Sequence, residues 1–214
     1  VTAGAISAGA NALGLSTTGG ATTGAITGTS SLTTTGSLSA ASINVGSATL
    51  NGNTTTMGTV TTSGSLTTGI GKTLVANDVS VGTTSSIGGN VTTTAGQSYG
   101  GTMAVTGPAT LTGTSITAAD LNAGTNTLTL NGPATTGNIT STAGLTANGT
   151  LDAASIDVGS ATLNGNTTSA GTVTTVTTLT TATGKTLGAN DVNVGTTSSA
   201  LPASALANPV NLPN

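Results

Sequence analysis

Two copies of Gly-Lys-Thr, at Gly71-Lys72-Thr73 and Gly184-Lys185-Thr186, come nearest to known reaction chemistry, because they match the end of a phosphate-binding loop. That loop also needs a glycine five residues before its second glycine, and Leu66 and Leu179 stand there. Gly and β-branched residues follow each lysine, so no helix is expected whose N-terminus would cradle phosphate. Each lysine is better read as an exposed side chain at the corner of a repetitive structure. Asn77-Asp78 and Asn190-Asp191 follow five and six residues later. That spacing allows one exposed ion pair per long repeat, worth about 0–1 kcal/mol. Calcium would need about six to eight oxygen ligands, and the five aspartates form no dense cluster. Carboxylate-pair chemistry would require stacking to bring Asp120 against Asp152 or Asp157; a polar surface ladder is the plainer role for them. With no histidine in the chain, its many Ser and Thr hydroxyls lack the positioned base that nucleophilic catalysis needs. We expect no enzyme, no cofactor and no metal site.

The elements that carry these residues must be built from unusual material. Of 214 residues 3% are charged, against about 25% in an ordinary globular domain, and Tyr99 is the single aromatic residue. A core without large rings must be thin and long, made from the small aliphatic and β-branched side chains that suit a pleated surface. Disordered chains combine low hydropathy with high charge, whereas this one has a mean hydropathy of +0.26. Two lysines cannot neutralise a phosphate backbone, and the aromatic platforms for base stacking are missing. No nucleic-acid partner is therefore expected. Nor does any apolar run approach the roughly 20 residues of a membrane span. The chain begins at Val1, which fits a removed leader and fits a fragment equally well.

Internal repetition supplies the architecture. Residues 38–86 recur without a gap as residues 151–199, identical at 38 of 49 positions. Within them sits a shorter motif of apolar, polar, small apolar and Gly. It reads Ile43-Asn44-Val45-Gly46, Val79-Ser80-Val81-Gly82, Leu121-Asn122-Ala123-Gly124, Ile156-Asp157-Val158-Gly159 and Val192-Asn193-Val194-Gly195. A second signature, such as Gly58-Thr59-Val60-Thr61-Thr62, falls midway between most copies, which sets a unit near 18 residues. Inside the unit apolar and polar residues alternate with period two, as a half-buried strand requires. Gly46 is expected to turn the chain through positive φ, and Asn51-Gly52 to make a tight turn.

These features predict an all-β fold, a single parallel β-solenoid of about 12 coils of roughly 18 residues, without helical caps and about 55 Å long. Ile43, Val45, Leu50, Val79, Val81, Ile156, Val158, Leu163, Val192 and Val194 should point inward, and Asn44, Ser80, Asp157 and Asn193 outward. A pair of β-sandwiches is the competing all-β reading, though it does not account for five near-evenly spaced copies of one motif. The chain divides into N-terminal coils at 1–31, the repetitive solenoid at 32–199 and a Pro-rich arm or cap at 200–214.

The Gly-punctuated run from Gly36 to Gly46, GSLSAASINVG, resembles the β-helical repeats of filamentous-haemagglutinin-type secreted proteins and autotransporter passenger domains. That resemblance, over roughly residues 32–200, implies a secreted or surface-attached right-handed β-helix. The ends suggest what such a rod does. The first charged side chain is Lys72 and the last Asp191, so neither end carries the charges that blunt open β edges. From Ala200 the chain has neither Gly nor Thr and carries Pro202, Pro209 and Pro213. Ile6, Leu13 and Leu15 at one end, and Leu201, Leu206, Val210 and Leu212 at the other, are the candidate self-association residues. Open edges of one polarity at each end generate filaments. The expected function is a structural subunit of a secreted extracellular filament, with its own copies as partner. The alternatives are a surface adhesin or matrix repeat, or an ice-binding protein using Thr59-Val60-Thr61, Thr110-Leu111-Thr112, Thr127-Leu128-Thr129 and Thr172-Val173-Thr174.

Overall fold

The computed structural model describes residues 1–199. Each coil contributes three short strands to three faces. Face one takes Leu38–Ala40, Thr54–Thr56 and Leu74–Ala76; face two takes Ile43–Val45, Thr59–Thr62 and Asp78–Val81. Face three takes Ser47–Leu50, Leu66–Thr68 and Ser85–Ile87. On every face the strands of neighbouring coils pair in parallel: Ile43 over Val60 over Val79, and Ala48 over Leu66 over Ser85. The fold is a β-solenoid of about 11 turns with no helix among the described residues. The sandwich reading fails because parallel neighbours from successive coils leave no place for antiparallel hairpins. The expected 12 coils counted the whole chain, and residues 200–214 lie outside the described part. Partner positions on successive coils are 16 to 20 residues apart, as in Leu32 over Ala48 and Thr54 under Leu74. Eleven rungs at about 4.8 Å make a rod about 50 Å long.

Alternation within strands decides the core. Ile43–Val45 is buried, exposed, buried, and Thr54–Thr56 repeats that order. All ten side chains expected inward are buried; Asn44 and Asp157 are exposed, and Ser80 and Asn193 are partly so. The interior is one continuous apolar stack, supplemented by buried threonines such as Thr54, Thr62 and Thr181. Threonine serves here because its branched Cβ fits the pleat; some of the hydroxyls reach a nearby carbonyl, as Thr56 does at Gly58 (3.0 Å), while those of Thr23, Thr34 and Thr175 make no hydrogen bond.

The corner glycines work differently from the sequence expectation. Gly46 and Gly52 are not in the left-handed region. A Cβ on Gly46 would run into the carbonyl of Ser30, and one on Gly52 into that of Gly36, both in the preceding coil. Stacked corners leave no room for a side chain, so close approach selects glycine there. In the second half the strands run through the corners as Ala134–Ala147, Leu151–Leu163 and Thr167–Thr181, with register shifts at several bends, between Ser141 and Gly144, Ala153 and Ile156, and Val158 and Ser160.

The long repeat does not return to its own face. Leu38–Ala40 stacks on face one, but its duplicate Leu151, Asp152 and Ala153 stacks over Ala134 on face two. Ile43 lies on face two and its duplicate Ile156, paired with Ile139, on face three. Leu50 lies on face three and its duplicate Leu163, above Ala147, on face one. The second copy is therefore turned by one face about the axis.

Candidate functional surface

Both lysines sit on corner turns. Gly69–Lys72 closes with Lys72 N donating to Gly69 O (3.1 Å), and 182–185 closes with Lys185 N donating to Ala182 O (3.1 Å). Gly71 and Gly184 hold φ of +68° and +74°, and here positive φ does select glycine. Each turn extends its coil, so that Leu74 follows its partner Thr54 by 20 residues and Leu187 its partner Thr167 by 20. Lys72 lies between faces three and one, Lys185 between faces one and two. Asp78 starts a strand on face two and Asp191 lies on face three, so a full strand separates each lysine from the aspartate that follows it.

The carboxylates are spread out. Asp152 is on face two opposite Thr135, and Asp157 is on face three opposite Thr140. Asp120 precedes the face-three strand Leu121–Gly124, where it accepts the backbone N–H of Asn138 (2.7 Å). One intervening coil, that of Ile139, separates the Asp120 and Asp157 rungs, so they stand about 10 Å apart. No group of three or more acidic or other ligating side chains is placed to hold a metal among the described residues. The grooves are shallow corner troughs; one is lined by Ser16, Thr35, Asn51, Asn53 and Lys72.

Sequence reasoning missed two polar devices. The first is inside the solenoid, where Tyr99 is fully buried and donates to Gln97 Oε1 (2.9 Å). Gln97 Nε2 in turn donates to the carbonyls of Thr112 (2.9 Å) and Val91 (3.2 Å). Burial pushes the Tyr99 phenol well above its ordinary value. The folded protein thus keeps a proton that the unfolded chain gives up near pH 10. This contribution to stability is complete below that pH and is lost as pH rises beyond it. Tyr99→Phe leaves Gln97 Oε1 without this donor and is expected to cost about 1–3 kcal/mol in urea unfolding at pH 7; unchanged stability would show that the bond contributes nothing. The second device is an asparagine ladder on face one. Asn164 Nδ2 donates to Asn148 Oδ1 (2.7 Å), Asn148 Nδ2 to Asn131 Oδ1 (2.5 Å), and Asn131 Nδ2 to Thr112 Oγ1 (3.4 Å). The common sequence Asn-Gly at Asn131, Asn148 and Asn164 is the signal that could have found it.

Three of the candidate self-association residues, Ile6, Leu13 and Leu15, lie in the first coil. Ile6 pairs with Ile26 and Leu13 with Leu32 in the second coil. Leu13 and Leu15 pack against the core while remaining partly exposed, and Ile6 is also half-buried. Their counterparts Ile26 and Leu32, one coil in, are fully buried. Leu201, Leu206, Val210 and Leu212 lie outside the described residues.

The four Thr-x-Thr pairs do not form one array. Thr59 and Thr61 are on face two, Thr172 and Thr174 on face three, and Thr110 and Thr129 on face one. No known family matches the chain, and comparison with curated proteins and with solved structures finds no significant match.

Proposed function

We propose that this protein is a secreted structural subunit whose solenoids stack head to tail into an extracellular filament, without catalysis or cofactor. The observation that carries the reading is the first coil. Its strands Ile6–Ser7 and Ala12–Leu15 pair on one side only among the described residues, and Ile6, Leu13 and Leu15 show the face that every later coil covers. A second copy laid on this edge would continue the ladder and bury those side chains. Burying a half-exposed aliphatic side chain contributes on the order of 1 kcal/mol, and the newly paired edge removes exposed N–H and C=O groups. The low charge supports the reading, because 3% charged residues give little repulsion between ends. The segment 200–214, with Leu201, Leu206, Val210 and Leu212, is proposed to staple the joint, and the same rod would suit a cell surface or matrix.

Electron microscopy of the purified protein over a dilution series, with and without residues 200–214, tests this. Filaments many times the roughly 50 Å of one subunit, shortening on dilution or on removal of the segment, are expected. Rods of one subunit's length at every concentration, unchanged by the truncation, overturn the proposal.

A further inference from the structure

The three faces are chemically unequal. The five aspartates lie on faces two and three or at the corner between them: Asp78 and Asp152 on face two, Asp157 and Asp191 on face three, and Asp120 at the corner where face two passes to face three. The duplication makes the partition specific. Ser39 is uncharged on face one, while its duplicate on face two is Asp152. The large exposed apolar side chains follow the opposite rule. Val75, 39% exposed, is on face one; Met57, at 84%, is at the corner where face one passes to face two. Ile70, at 70%, and Val176, at 65%, are at the corner where face three passes to face one. Among the described residues not one lies on face two, on face three or between them.

We infer that face one is a lateral docking surface, and that its occupant is face one of a second copy of this chain. A charge-free strip with apolar side chains on and beside it, and charges kept to its flanks, has the make-up of an interface core with a polar rim. Its rows fit a second solenoid in particular. Thr110, Thr129, Thr146, Thr162 and Thr180 stack one per coil, and the hydrogen-bonded Asn131, Asn148 and Asn164 run beside them. Rows spaced by the rung distance of about 4.8 Å interdigitate side chain by side chain only with rows of the same spacing. The ladder holds its amides in place before contact, so little rotamer freedom is lost on docking. Rods meeting through faces two or three would instead set aspartate against aspartate. A strip about 12 Å wide and 50 Å long buries about 600 Å² on each rod, about 1,200 Å² in all, the lower bound of specific interfaces. A reversible pair is therefore expected. This pairing is independent of end-to-end stacking, since it changes the width of a rod and leaves its length alone.

The chain has no cysteine, so a single introduced thiol reports its own face. Thr146→Cys on face one and Thr135→Cys on face two are compared by oxidative cross-linking, with electron-microscopic width and circular dichroism alongside. Face-one thiols are expected to form the covalent dimer at least about tenfold faster, the factor that roughly 1.4 kcal/mol of preference gives. Wild-type rods are expected at double width, whatever their length. Thr92→Asp with Thr146→Asp is expected to return them to single width with the spectrum unchanged, while Thr117→Asp with Thr135→Asp leaves them paired. Single-width wild-type rods at all salt concentrations, or equal cross-linking from both faces, overturn the assignment. So would inhibition of ice growth by unpaired rods that only the face-one aspartates abolish, because the face would then serve water.

Discussion

Val158→Asp is expected to unfold the protein or bring it close to unfolding. Val158 is 1% exposed within the continuous core stack, opposite Ser141 in one neighbouring coil and Thr175 in the other. A carboxylate there has no cationic partner, since both lysines sit on corner turns with exposed side chains. Leaving an unpaired charge in a dry interior costs about 3–5 kcal/mol even after relaxation, against a total stability of about 5–15 kcal/mol for an ordinary domain. The comparison is Asp157→Asn, one residue earlier and exposed, which should change stability by less than about 0.5 kcal/mol. Urea titrations followed by circular dichroism check both, and equal midpoints for the two variants would refute the inward assignment of Val158.

Gly165→Val tests the other half of the fold, the stacking of corners. Gly165 is buried, and a Cβ there would run into the carbonyl of Gly149, as a Cβ on Gly149 would run into that of Gly132. These are backbone atoms fixed by ladder hydrogen bonds on both sides, as Leu151 N donating to Asn166 O (3.0 Å) and Ala134 N to Thr150 O (2.8 Å) show. They cannot yield as a side chain would, so the expected loss is about 3 kcal/mol or more. Gly188→Val is the matched control. A Cβ on Gly188 meets open space, φ there is not positive, and the corresponding residue of the first repeat is Val75. Thermal unfolding should show Gly165→Val melting well below wild type and Gly188→Val close to it; a reversed order would mean that corner contact does not select glycine.

Strand, corner and inward side chain were all legible in the sequence, because each is a local property. Period-two alternation decides that Ile43 and Val45 share a side and Asn44 faces the other way, and the structure buries and exposes them accordingly. The role of glycine was half legible. Its positions marked the corners, but only stacked coils show that Gly46 and Gly52 are required by the coil beneath rather than by φ. The Tyr99–Gln97 pair was hidden because their two-residue spacing is that of any inward pair on a strand, while the carbonyl of Thr112 comes from the next coil.

What the sequence by itself determined, then, is the unit: a short strand with alternating side chains, closed by a glycine corner, in near-identical copies at 38–86 and 151–199. What only the tertiary structure decided is the face on which each unit lands. Identical segments sit on faces one and two, or two and three, because a strand's own pattern fits all three faces equally and carries no label for any of them. The phase is set by the total number of residues wound between two units and by extra turns such as those at Lys72 and Lys185. It is therefore a sum over the chain, not a property of any segment. That sum gathers the exposed apolar side chains beside face one and leaves the aspartates on the other two or at the corner between them.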